Sequence, residues 1–163
     1  MRKVNAIIAI SNNNIIGVDG KLPWEAPEDM KFFVETTLNK PMICGKNTKS
    51  SLKFSKEREK HLYVMTRELT AKEMLHRVFI EHEEHPFIIG GAVIYHLFSK
   101  YITDWYVTRI DKEIETTNAQ EVTFFPDYMW SRDAGFTQRS VRPVQGKTCN
   151  MSFEHYTRMK DFC

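Results

Sequence analysis

The stretch GVDGKLPWEAPEDMKFF, Gly17 to Phe33, decides how this sequence is read, because it sets one carboxylate in apolar company. Two turn signals, Val18-Asp19-Gly20 and Leu22-Pro23, lead into Trp24. Pro27 then suits the first position of a helix, where its missing N–H and fixed φ do no harm. At helical spacing Asp29 shares a face with Phe32 and Phe33, so an acid in the first turn looks along the same side as two aromatic rings. A carboxylate among rings is poorly solvated. Burial raises its pKa and the helix N-terminus lowers it; where burial dominates, the group exchanges a proton near neutral pH. The alternative, an acid that merely suits the helix dipole, stays open from this segment alone.

Outward from that stretch, the composition fits one globular domain over residues 1–163, with 42% hydrophobic and 27% charged residues. A net charge of +2 is too small to argue for nucleic acid or a membrane surface, and no apolar run approaches a membrane span. The N-terminal segment has a strand-length apolar core without a cleavage-site pattern, so a soluble, cytoplasmic protein is expected. Cys44, Cys149 and Cys163 are odd in number, scattered and without metal-ligand spacing, which points to buried or free thiols. His82 and His85 lack a third ligand nearby, and no metal is expected.

Val4 to Ile10 is a nearly continuous apolar run, the pattern of a strand covered on both faces in the middle of an α/β sheet. Met42-Ile43-Cys44, His61 to Thr66, Phe87-Ile88-Ile89 and Asp104 to Ile110 read as further strands, and the segments GFTQRSV and NMSFEHYT read as a closing antiparallel hairpin. Thr70 to Glu73 is a capping box that opens an amphipathic helix reaching about Glu83. Gly45-Lys46-Asn47-Thr48 offers helix-opening N–H groups, a lysine and a hydroxyl at a strand end, a pattern that also serves as a plain turn. Arg67 follows another strand end, where open α/β sheets bind ligands, and reads as a phosphate clamp or as an ordinary surface arginine. Gly90-Gly91 at a strand-to-helix turn lets a phosphate approach the backbone.

Pro23-Trp24 with Asp29 five residues after the Trp, Gly45 to Thr48, Ile89-Gly90-Gly91 with Tyr95, and Thr108 together resemble the dihydrofolate reductase family over nearly the full length. The resemblance implies a mixed, mainly parallel eight-stranded sheet with flanking helices and an antiparallel C-terminal hairpin. It implies reduction of dihydrofolate with NADPH, supplying the one-carbon carrier for thymidylate and purine synthesis, in a monomer without nucleic-acid or membrane partners. Asp29 becomes the only ionisable group of the pterin pocket, with Leu22, Trp24 and Tyr95 beside the reacting atoms. Ile7, Ile8, Met30, Phe33, Leu52, Ile89 and Thr108 line the substrate side. On the cofactor side the resemblance puts Ala9, Ile16, Gly17, Gly45, Lys46, Asn47, Thr48, Thr66 and Arg67, then Gly90 to Tyr95, including Ala92, Val93 and Ile94. Lys46 and Arg67 fall to the 2′-phosphate, Thr48 to the pyrophosphate, and Ile16 to Leu22 to a mobile loop that closes over nicotinamide and pterin. The family joins its glycine pair by a cis peptide.

Four positions depart from the family pattern. Lys49 replaces a Trp, and Ala92 replaces a third glycine, which requires negative φ there. Val122-Thr123-Phe124 has lost the acid that often precedes Phe125-Pro126, and Glu121 is the candidate to replace it. The family arginine that holds the glutamate tail of the substrate aligns without a gap on Glu59. A one-residue shift brings Arg58, favoured here because an acid would repel the tail; Lys60 is the third candidate. A related reductase of riboflavin synthesis and a non-catalytic nucleotide-binding protein of the same fold are the competing readings.

Overall fold

The computed structural model describes residues 2–160, so Cys163 lies outside the described residues. Strand β1 (Asn5–Ser11) is buried along both faces, as its apolar run requires. It stands in the middle of a seven-stranded sheet of order β4-β3-β5-β1-β6-β9-β8. The partners are β3 (Met42–Cys44), β4 (Leu62–Val64), β5 (Phe87–Gly90), β6 (Asp104–Ile110), β8 (Phe136–Gln145) and β9 (Asn150–Arg158). The pairings from β4 through β6 are parallel, while β6 with β9 and β9 with β8 are antiparallel. Pro143 is tolerated because β8 is an edge strand.

The main sheet holds seven strands where the resemblance implied eight. Residues 65–70, which join β4 to the next helix, α4 (Ala71–Glu81), form no strand. Two further strands, β2 (Ile15–Val18) and β7 (Val122–Phe124), form a separate antiparallel ribbon. Among the described residues four other α-helices follow in chain order, α1 (Pro27–Thr37), α2 (Lys46–Ser51), α3 (Lys56–Glu59) and α5 (Ala92–Phe98), with a short 3-10 helix at Asp127–Trp130. The capping box holds, since the Thr70 hydroxyl accepts from Glu73 N and donates to Glu73 Oε1. The helix it opens stops at Glu81, two residues short of expectation, where His82 turns extended.

Side-chain alternation divides β1 between two cores. Ala6, Ile8 and Ile10 join Trp105, Val107, Phe98, Phe125 and Trp130 on the face covered by α4 and α5. Ile7 and Ala9 point to the opposite face, beneath α1. Phe32 of α1 stacks on Phe153 of β9 with ring centroids 4.4 Å apart, and Phe33 stacks on Phe54 at 6.2 Å. Such stacks contribute about 0.5–1.5 kcal/mol each beyond their buried area, enough to fix which way α1 faces. Cys44 and Cys149 are free and buried; burial pushes the Cys44 thiol up to about 11, so it is inert near neutral pH. Among the described residues no helix is long and apolar enough to cross a membrane.

Candidate active site

Because β1, β3, β4 and β5 run parallel, their carboxyl ends open on one side of the sheet, where ligands bind in open α/β folds. The α1 face of that opening carries the candidate acid. Asp29 sits in the first turn of α1, with Pro27 in the first turn as well. Burial raises its pKa above the ordinary carboxylate value, and the neighbouring Thr108 hydroxyl offsets only part of that rise. Thr108 Oγ1 is itself buried and finds no partner within ordinary hydrogen-bond distance. Trp24 Nε1 is also buried and unpartnered. Two polar atoms kept dry and unpaired are expensive, about 1–3 kcal/mol for each, unless something polar binds them.

The apolar walls are also assembled. Ile7, Ile89, Phe33 and Leu52 belong to one cluster with Met42, Phe87 and Phe54. Trp24 and Ala9 belong to a second with Ile110, Met151 and Phe153. Ile8 is placed differently: its side chain lies in the opposite core, so only its backbone faces the cleft. Leu22 and Met30 stand at the rim, 52% and 53% exposed. Leu22, Pro23 and Trp24 also line a separate cavity of about 450 Å³ with Glu25, Lys112 and Thr148.

At the mouth, the structure distinguishes among the three basic and acidic candidates. Arg58 Nη2 donates to Thr37 Oγ1 at 2.7 Å, and its guanidinium lies 4.9 Å over the Phe54 ring and 6.0 Å from that of Phe33. Lys60 is instead engaged by Glu57 at 3.0 Å in solvent, and Glu59 is exposed. Arg58 Nε is buried without a partner, so the guanidinium keeps unused donor capacity.

On the other side of the opening, Gly45 N donates to Gly90 O at 2.8 Å and Met65 N to Cys44 O at 2.8 Å, which aligns the ends of β3, β4 and β5. Lys46, Asn47, Thr66 and Arg67 are all exposed at those ends. The Gly90-Gly91 peptide is cis, as the resemblance implied, and Ala92 does not have positive φ. A Cβ on Gly91 would stand 3.5 Å from Thr48 Oγ1, so the glycine keeps the space beside that hydroxyl open. A Cβ on Gly90, whose φ is +114°, would press on the Tyr95 ring at 3.2–3.4 Å. Ile94 packs inward under Gly45, whereas Val93 is 75% exposed. Tyr95 is buried and donates to Ile7 O at 2.6 Å; burial, with Asp29 nearby, pushes its pKa far up, so it acts as a fixed neutral donor.

Ile16 and Gly17 lie in β2, so half of the expected loop is a strand. Glu121 is exposed, and its backbone meets the turn that follows β2. Asp19 Oδ1 accepts from Gln120 N and Glu121 N at 3.0 and 2.8 Å, and Asp19 N donates to Glu121 O. Asp19, Thr37 and Phe54 are the site residues that the sequence left unmarked; only Asp19 in a Val-Asp-Gly turn carried a hint, since Asp tolerates its φ of +49°.

The sequence that carries this cleft is similar to known proteins. The sequence profile of dihydrofolate reductase covers residues 3–158. The chain belongs to the dihydrofolate reductase family. It is 31% identical over 169 aligned residues to a dihydrofolate reductase of Neisseria meningitidis serogroup A, covering 97% of this chain and 99% of the relative. It is 32% identical over 134 residues to that of Buchnera aphidicola from Schizaphis graminum, covering 77% and 80%. A dihydrofolate reductase of Staphylococcus haemolyticus is 31% identical over 132 residues, covering 76% of each chain. Membership of this family implies a nicotinamide cofactor.

Proposed function

We propose that this protein reduces 7,8-dihydrofolate to 5,6,7,8-tetrahydrofolate with NADPH, as one cytoplasmic, monomeric catalytic domain. The observation that carries the reading is Asp29, a single desolvated acid beside the unpaired Thr108 hydroxyl in an aromatic cleft. Asp29 and Thr108 offer two acceptors to the N3 and 2-amino edge of a pterin, while Ile7, Phe33 and Ile89 cover its faces. Held above its ordinary pKa, Asp29 promotes protonation at N5 through water. Arg58 takes the α-carboxylate of the glutamate tail, already oriented by Thr37 and Phe54. The open space between Thr48 and Gly91, together with exposed Lys46 and Arg67, fits the phosphates of a 2′-phosphorylated dinucleotide. When bound, NADPH supplies the hydride.

The test is spectrophotometric: NADPH oxidation that depends on added dihydrofolate. Turnover with dihydrofolate, and none with a ribosylated pyrimidine of the riboflavin route, is the expected result. Turnover only with the pyrimidine would assign the related reductase, and turnover with neither would leave a nucleotide-binding protein.

A further inference from the structure

The turn joining β8 to β9 reaches across the molecule to the segment between Trp24 and Asp29. Lys147 N donates to Glu28 Oε2 at 3.2 Å. The other oxygen, Glu28 Oε1, is buried without a partner. It faces Gly146, where a Cβ would come within 2.9 Å of it and 2.3 Å of Cys149 O, so only glycine lets the turn close against that carboxylate. At the other end of the same segment the Thr148 hydroxyl donates to Glu25 O, and Cys149 Sγ lies 3.9 Å from that carbonyl. The opening of α1 has no capping side chain, since Ala26 occupies the N-cap position. Its orientation is therefore set from outside, by the turn at Glu28 and, one helical turn on, by the Phe32 stack on Phe153.

We infer that Glu28 is a positioning residue for Asp29, clamping the β8–β9 turn to the first turn of α1 so that the next side chain meets Thr108. The inference rests on the proposed reduction of dihydrofolate. A small rotation of an uncapped first turn swings Asp29 away from Thr108 and toward water, and the clamp resists that rotation. The contacts of the Glu28 carboxylate are with the β8–β9 turn, so it acts on Asp29 through the backbone they share.

The test compares Glu28→Ala with Glu28→Gln at saturating NADPH, measuring kcat for dihydrofolate and the Kd for NADPH. Glutamine keeps an oxygen for the Lys147 N–H and loses the charge. Glu28→Ala should lower kcat about fivefold, the factor a typical net hydrogen bond is worth. Glu28→Gln should stay within about twofold of the parent, and NADPH affinity should be unchanged in both, as expected when the hydrogen bond rather than the charge matters. Equal losses in both variants would overturn the inference in favour of a charge effect. A loss matched by weaker NADPH binding would overturn it in favour of general loosening, and an unaltered Glu28→Ala would overturn it outright. A parent chain inactive on dihydrofolate would instead bring down the proposed function, and this inference with it.

Discussion

The two halves of the cleft are built in different ways. On the α1 side, side chains are buried, stacked and short of partners: Asp29, Thr108, Trp24 and Arg58 each carry desolvation that the fold alone leaves uncompensated. On the glycine side, the backbone does the shaping, while Lys46, Thr66 and Arg67 stand in solvent. A buried polar group loses more when its partner is removed than an exposed one does. Substitutions on the α1 side should therefore cost more and perturb stability as well as rate, and those on the glycine side should change selectivity with little effect on folding.

The largest effect is expected at Asp29. Asp29→Asn should lower turnover of dihydrofolate at neutral pH by roughly 100-fold or more, and activity should recover at low pH, where substrate protonated in solution bypasses the acid. Stability should move the opposite way. The folded-state pKa of Asp29 lies above its unfolded value, so the folded state binds more protons in that window and loses stability as pH rises through it. Once the group is ionised the fold carries that cost, and Asp29→Asn should melt at a higher temperature than the parent. A mutant that is equally active at neutral pH, or less stable there, would remove the contrast between the two halves.

Next comes Arg58. Arg58→Ala should raise KM for dihydrofolate by a factor corresponding to about 1.5–3 kcal/mol, while scarcely affecting a pteridine without the glutamate tail. Because the guanidinium also packs on Phe54, a modest fall in melting temperature should accompany it. The same loss on both substrates would indicate a purely structural arginine. Across the cleft, Arg67→Ala should take about 1.5–3 kcal/mol from the preference for NADPH over NADH if the guanidinium clamps the 2′-phosphate, toward the lower end because the site is exposed. Its melting temperature should not change, and an unaltered NADPH-to-NADH ratio of kcat/KM would release Arg67 from the role. The smallest change is expected at Asp19. Glycine accommodates the positive φ and removes the acceptor of two N–H groups, so Asp19→Gly should weaken NADPH binding by roughly fivefold through a looser β2–β7 ribbon.

Much of this was legible from local pattern. The double-faced apolar run of β1 marked the sheet's centre, and Pro27 marked where α1 begins, because both signals act through nearest neighbours and the chain's own periodicity. Arg58 was harder. Its environment is made by Thr37 and Phe54, which arrive from a helix end and a connecting segment, so residue spacing could favour it but not show what holds it. The carboxylate of Asp19, not marked by the sequence pattern, accepts from Gln120 N and Glu121 N, because backbone N–H groups ahead of β7 can donate to an acid that follows β2. Ile8 was assigned to the pocket with its neighbour, yet strand alternation turns it into the opposite core.

The proposed chemistry depends most on the state of one carboxyl group. Carbon-13 NMR titration of the side-chain carboxyl of Asp29, assigned by its disappearance in Asp29→Asn, reads that state directly in the free protein. A midpoint clearly above the ordinary value of 3.8 is predicted, since burial outweighs the Thr108 hydroxyl. A midpoint at or below 3.8 would mean a well-solvated or fully hydrogen-bonded acid, and would contradict the desolvated cleft from which the function is argued.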